Sequence, residues 1–247
     1  MGVLRALRRI TAALVHALHG AAICAFEFPR ADAARRRARI EWWAAQMLTR
    51  LDVRLEVRGT LHAAPVLLLA NHVSWLDILA VHAVHAARFV SKADVRRWPL
   101  IGFLTAGAGT ILIQREKKRD ALRVVHHVAE ALREGTTVAL FPEGTTGSGR
   151  SVLPFHANLL QAAIAAGAPV QPVVLRFSDA RTAFSAAAEY VGSTTLLQSL
   201  ARIASTDGLV VHVELLPALS VEGSDRRSLA AEVRGRIQAA LDEAAEP

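Results

Sequence analysis

The 247-residue sequence predicts an α/β protein: a mixed, mostly parallel sheet flanked by helices, preceded by an amphipathic two-helix segment. Two observations carry this reading. From Val53 onward, short apolar runs alternate with turns and with stretches of helical periodicity, the pattern of strands linked by helices. Before Val53 that alternation is absent, and apolar residues recur only at helical spacing. Residues 1–51 are therefore read as one unit and residues 52–247 as the other.

Residues 1–28 open with Arg5, Arg8 and Arg9 and turn apolar from Ile10 to Phe26. Wound as a helix, these arginines fall with His16 and His19 inside an arc of about 100°, opposite Leu4, Leu7, Ile10, Leu14 and Leu18. Such a helix suits the plane of a membrane interface better than a full span, because the arginine-free run is short for spanning. A cleaved signal peptide is the main rival, but no convincing small-x-small cleavage site precedes Phe26-Glu27-Phe28-Pro29. Residues 31–51 read as a second helix, with Ile40, Trp43, Ala44, Met47, Leu48 and Leu51 on one side. Arg35, Arg36, Arg37 and Arg39 crowd its start beside Trp42, which fits an anchor at headgroup level.

In the second unit, strands are expected at 53–57, 66–70, 89–91, 110–114, 137–141, 170–177 and 210–215. Helices are expected at about 76–86, 119–134, 156–167 and 226–243, while 179–207 carries no clear pattern. The charge balance, 29 Lys+Arg against 22 Asp+Glu, favours an anionic partner: nucleic acid, a phospholipid surface or a phosphorylated substrate. Nucleic acid has only this charge in its favour, with no recognisable module. Cys24, the single cysteine, excludes an intramolecular disulfide and suggests a reducing compartment. No metal site is read. His126-His127 and His82/His85 sit on expected helices, without carboxylates at ligand spacing.

Chemistry concentrates at the ends of strands. Asn71-His72-Val73-Ser74-Trp75-Leu76-Asp77 follows the apolar run 66–70, so His72 stands at a strand's carboxyl end, where open sheets form ligand crevices. Five residues apart, His72 and Asp77 cannot meet inside one helix, since they would lie about 140° apart. They can meet if His72 lies in the turn and Asp77 in the first turn of the helix after it. One reading makes Ser74 the N-cap, Asp77 its capping-box partner and His72 a turn residue. The other makes His72 an imidazole oriented by a carboxylate and able to take a proton from a hydroxyl.

Three more strand ends follow. Gly109 to Arg115 ends in a cation able to hold a phosphate by paired hydrogen bonds. The run 137–141 leads into Pro142-Glu143-Gly144-Thr145-Thr146-Gly147, a carboxylate at the edge of a glycine-rich loop whose N–H groups can face an anion. Residues 144–151 nearly match a phosphate-binding loop of nucleotide triphosphatases, but Arg150 replaces the lysine and Pro154 disrupts the helix that must follow. Val170-Gln171-Pro172 is a rigid strand entry for which a structural role is adequate.

Taken in order, these four stretches resemble the sequence blocks of the glycerophospholipid acyltransferases, specifically the 1-acylglycerol-3-phosphate type. Asn71-His72-x-x-x-x-Asp77 and Phe141-Pro142-Glu143-Gly144-Thr145 are the two most specific, and the match spans roughly residues 50 to 215. The resemblance implies transfer of a fatty acyl group from a thioester, on coenzyme A or acyl carrier protein, to a lysophospholipid hydroxyl. It implies His72 as general base, Asp77 as its orienting carboxylate, and Arg115, Glu143, Gly144 and Thr145 as headgroup ligands. No cofactor is expected beyond the thioester co-substrate, and the basic helices imply the cytoplasmic face of an inner membrane, where that donor is available. Thr146 and Gly147 depart from the arginine and serine common there, and His156 stands where another basic residue is common. The Phe-Pro-Glu-Gly-Thr-Thr-Gly form also resembles acyltransferases completing ornithine lipids, so lyso-ornithine lipid is the alternative acceptor. A non-catalytic lipid-binding protein is the alternative of another class.

Overall fold

The computed structural model describes residues 2–113 and 118–245. One seven-stranded sheet runs in the order β1-β7-β6-β2-β5-β3-β4. Its strands are β1 (Val53–Gly59), β2 (Val66–Ala70), β3 (Arg88–Lys92), β4 (Ile111–Ile113), β5 (Thr137–Leu140), β6 (Val170–Ser178) and β7 (Leu209–Leu215). Only the β6–β7 pairing is antiparallel, so β1 and β7 oppose the other five strands. The mixed, mostly parallel sheet expected from the sequence is the sheet observed.

β2 is central and buried on both faces, as its unbroken apolar run requires. Leu67 and Leu69 face one core, with β5, the helices α5 (Lys118–Arg133) and α6 (Gln161–Ala166), and α8 (Arg226–Glu243). Val66, Leu68 and Ala70 face the other, with α2 (Ala33–Arg50) and α3 (Leu76–Val84). Strand alternation thus builds two apolar layers from one strand. β2 lies between β6 and β5, so the chain leaving these three parallel strands emerges along one sheet edge.

The ambiguous stretch 179–207 contains α7 (Leu196–Ser205), opened by a full capping box in which Thr195 and Gln198 serve each other's backbone. That Thr-x-x-Gln signal was readable before an apolar run. The short α4 (Ile101–Gly107) was not foreseen, and follows Leu100, whose φ of +65° breaks the chain direction. The helix expected at 156–167 is shorter, a 3₁₀ turn over Ala157–Leu160 leading into α6.

The N-terminal helix α1 (Gly2–Ala22) packs with its sides reversed relative to a soluble helix. Ala6, Arg9, Ala13, His16 and Gly20, at spacings of three and four, face the protein. Val3, Leu4, Leu7, Leu14, Val15 and Leu18 point outward, each more than half exposed. Arg9 is only 5% exposed. Its guanidinium donates to the carbonyls of Ala204 and Thr206 at 2.9 and 3.0 Å, to Asp207 at 2.9 Å, and to Asp52. Trp43 Nε1 donates to the His16 carbonyl at 3.0 Å, joining α1 to α2. Gly20 is required there, since a Cβ would lie 2.5 Å from Trp43 Nε1. Residues 2–30 form a helical stretch long and apolar enough to cross a membrane by length and composition.

Candidate active site

The loop after β2 is fixed before it does any chemistry. The Asn71 side chain donates to the Leu175 carbonyl and accepts from the Leu175 N–H, both at 2.8 Å, extending the β2–β6 ladder by one side-chain rung. Beyond it, the His72 N–H donates to Glu143 Oε1 at 2.9 Å, and the His72 carbonyl accepts from Gly147 N–H at 2.7 Å. The Val73 carbonyl accepts from Tyr190 N–H at 3.0 Å, and Thr146 Oγ1 donates to the Tyr190 carbonyl. Loops from β2, β5 and β6 therefore lock together around His72.

His72 and Asp77 meet. His72 Nδ1 lies 2.7 Å from Asp77 Oδ2, and the same oxygen accepts the N–H groups of Val73 at 2.7 Å and Ser74 at 2.9 Å. Asp77 is fully buried, whereas the His72 side chain keeps 18% of its surface. With Nδ1 occupied, Nε2 is the ring nitrogen left for a substrate. Only half of the anticipated capping box forms. Asp77 serves the Ser74 backbone, but the Ser74 hydroxyl caps nothing and is buried without a partner among the described residues. The carboxylate is committed to the imidazole and the turn, so the two readings of this stretch coexist in one group.

Phe141 fixes the ring plane. It stacks on His72 with centroids 3.9 Å apart and planes 6° apart, and Phe89 stacks behind it at 5.5 Å. The sequence placed Phe141 at the end of a strand, and nothing in its spacing showed that it would meet His72.

Glu143 is 5% exposed, and both its oxygens accept backbone N–H groups, from His72 at 2.9 Å and Leu153 at 3.1 Å. Burial pushes its carboxyl up to about 7 against the lowering effect of these two bonds. The structure thus has Glu143 tying the third block to the histidine loop. Gly144 turns the chain with φ of +71°, and Thr145 is exposed beside it. Arg115 lies outside the described residues. Arg150 donates to the Phe184 carbonyl at 3.3 Å and lies over the Phe184 ring. Gly149 is needed where it stands: at φ +77° its Cβ would come within 2.8 Å of Val73.

Gln171, in the fourth block, is buried and satisfied, accepting from His62 N–H and donating to the carbonyls of Thr60 and Leu216, each at 2.9 Å. It is a structural tie. The histidines outside the loop need a correction: His126 and His127 do have a carboxylate, Glu130, 3.4 Å from each, and His85 has Glu41 at 3.5 Å. The first three are exposed on one helix, where turn-spaced ion pairs are ordinary.

The sequence profile of the acyltransferase family matches residues 53–176, which includes the His72 loop, Glu143 and Gln171. The lyso-ornithine lipid O-acyltransferase of Pseudomonas aeruginosa is 37% identical over 220 residues, covering 89% of this chain and 84% of the relative. This chain belongs to the acyltransferase family. A 1-acyl-sn-glycerol-3-phosphate acyltransferase of Neisseria meningitidis is 39% identical over 212 residues, covering 84% and 82%. The crystal structure of the 1-acyl-sn-glycerophosphate acyltransferase from Thermotoga maritima superposes with a TM-score of 0.75 at 20% identity, covering 98% of this acyltransferase and 95% of that chain. At that identity the likeness speaks for the fold. Relatives named for two different lyso-lipid acceptors are thus similar to this acyltransferase over most of its length.

Proposed function

We propose that this acyltransferase moves a fatty acyl group from a thioester to the free hydroxyl of 1-acylglycerol-3-phosphate, giving phosphatidic acid. The observation that carries the reading is the 2.7 Å His72–Asp77 pair with Nε2 left open. Nε2 takes the proton as the acceptor oxygen attacks the thioester carbonyl. The new C–O bond forms, the C–S bond breaks, and the departing thiolate takes the proton back from the imidazolium. Asp77 holds the ring in the tautomer with Nδ1–H and supports its transient charge. Glu143 positions His72 through the backbone, and Arg115, Gly144 and Thr145 are the groups assigned to the headgroup. No cofactor is needed, because the alcohol attacks a co-substrate already activated as acyl-CoA or acyl carrier protein thioester.

The outward apolar stripe of α1, together with the exposed Phe26, Trp98 and Phe103, supports a seat in one leaflet. The Arg9 bonds support a helix lying against the protein rather than crossing the bilayer. The positive balance and the need for a cytoplasmic thioester favour the inner face of the inner membrane.

A second acceptor has its own supporting observation. Thr146, where an arginine is common, is spent on the Tyr190 carbonyl, and Arg150 is engaged at Phe184, which suits an acceptor without a phosphate such as lyso-ornithine lipid. The test is transfer of a labelled acyl group to both acceptors, in membranes carrying the natural protein or His72→Ala. Product from one acceptor, lost on His72→Ala, is the expected result. No product with acyl-CoA or acyl carrier protein donors would leave a lipid-binding protein as the better reading.

A further inference from the structure

At the end of the helical hairpin lies a surface pocket of about 430 Å³, lined by Glu27, Arg35, Ala38, Arg39 and Trp42. The Arg39 guanidinium sits 4.5 Å from the Trp42 ring centroid and donates to Glu27 at 2.8 Å. Its Nε is buried without a partner among the described residues. Arg35 spends only its backbone N–H, on the Asp32 cap, and its guanidinium has no partner among the described residues. Two guanidinium groups against one carboxylate leave one net positive charge. That matches a single phosphodiester, and a stacked, pre-set arginine beside a free one is suited to gripping its oxygens. Exposed apolar surface accompanies the pocket: Trp42 in its lining is 38% exposed, and Phe26, the chain neighbour of Glu27, is 71% exposed.

We propose that this pocket binds the phosphodiester headgroup of a bilayer phospholipid, apart from the catalytic site, and so sets the depth and tilt at which the hairpin sits in the leaflet. The inference rests on the membrane seat argued above. An acyl chain descending from the bound headgroup would run along Phe26 and the outward stripe of α1, whereas a soluble phosphate would meet the same arginines without that apolar support.

The full chain is titrated with vesicles of phosphatidylcholine and phosphatidylglycerol, comparing Arg35→Gln/Arg39→Gln with Arg36→Gln/Arg37→Gln. Each pair removes two charges from α2. The pocket pair should weaken vesicle affinity about 30-fold, and Arg35→Gln alone, which breaks no bond in the fold, about five-fold. The Arg36/Arg37 pair should lose well under a third as much as the pocket pair. Equal losses from both pairs would overturn the site in favour of diffuse charge. Relief of vesicle binding by soluble acyl-CoA but not by glycerophosphoglycerol, seen only with Arg35 and Arg39 intact, would overturn the lipid as source. If the natural chain binds no vesicle, the membrane reading itself falls. Binding by the natural chain that neither pair changes removes the pocket alone.

Discussion

Two regions of this acyltransferase bury charged groups, and they do so for opposite ends. Around His72, polar groups go inside to be held still. Asp77 and Glu143 are buried with backbone N–H donors aimed at them, and the His72 ring, held by Asp77 at Nδ1, has no partner for Nε2 among the described residues. In α1 a buried arginine lets the helix dock by its polar side and leave its apolar side out. A desolvated charge costs several kcal/mol unless bonded, so both arrangements are deliberate expenditures of hydrogen bonds. The first spends them on precision, and the second on exposing an apolar surface.

The largest effect should come from breaking the first region at its centre. His72→Ala should lower acyl transfer by about 10²–10⁴-fold, and Asp77→Asn by a similar factor, because the amide cannot hold the Nδ1–H tautomer. Steady-state rates with saturating donor measure this. Vesicle binding by either variant should match the natural chain, and a parallel loss of binding would show that the two regions are not separable.

Next is Glu143→Gln. Its carbonyl oxygen can accept one of the two N–H groups, but its NH₂ then faces the other, so the loop loses a bond and gains a clash of donors. An unpaired buried N–H costs about 1–3 kcal/mol, and the misplaced imidazole should slow transfer roughly tenfold or more. The pH dependence has a definite sign. Glu143 is raised from 4.5 to about 7 in the folded protein, so the native state binds more protons than the unfolded chain between those values. Its contribution is therefore most favourable below 4.5, declines as pH rises to about 7, and is flat above. Urea unfolding of the natural chain and Glu143→Gln across that window should show their difference changing by at most about 3 kcal/mol. A difference that rises with pH would mean that the two N–H bonds outweigh burial.

How much of this was legible in the sequence differs between the regions for physical reasons. The sheet was legible because period-two and unbroken apolar runs mark strands directly, and 66–70 was read to the residue. The His72–Asp77 meeting was legible from helix geometry across five residues. The clamp from Glu143 to the His72 backbone was not, because it joins positions 71 apart through a register that only the folded sheet sets. Phe141 and Tyr190 were hidden for the same reason. In α1 the two stripes were legible, but which one faces the protein was not: that depends on Asp52, Asp207 and two carbonyls supplied by distant turns.

Gly20→Val probes the docking of the hairpin. A Cβ there would meet Trp43 Nε1 at 2.5 Å and Leu104 at 3.0 Å, both side chains held by packing. Overpacking of this kind costs about 1–3 kcal/mol. The hairpin should loosen, with faster hydrogen exchange in α1 and weaker vesicle binding, while detergent-supported transfer from a soluble thioester stays within about threefold of the natural rate.

The smallest effect on stability is expected from Leu14→Gln/Leu18→Gln, and it separates the two regions most sharply. These side chains are 53% and 62% exposed. In a protein surrounded by water, replacing half-exposed leucines with glutamine should change unfolding free energy by no more than about 0.5 kcal/mol each. If the stripe instead packed against a part of the molecule or a second copy, the loss would approach the roughly 2–5 kcal/mol of a truncated core leucine. Vesicle binding should move the other way, because each apolar side chain withdrawn from the interface removes on the order of 1 kcal/mol or more of transfer energy. A pair of substitutions that leaves urea unfolding unchanged yet releases the protein from vesicles would mean that α1 is folded by its arginine and seated by its leucines. Equal losses in both assays would assign the stripe to the protein's own core and remove the contrast with the His72 loop.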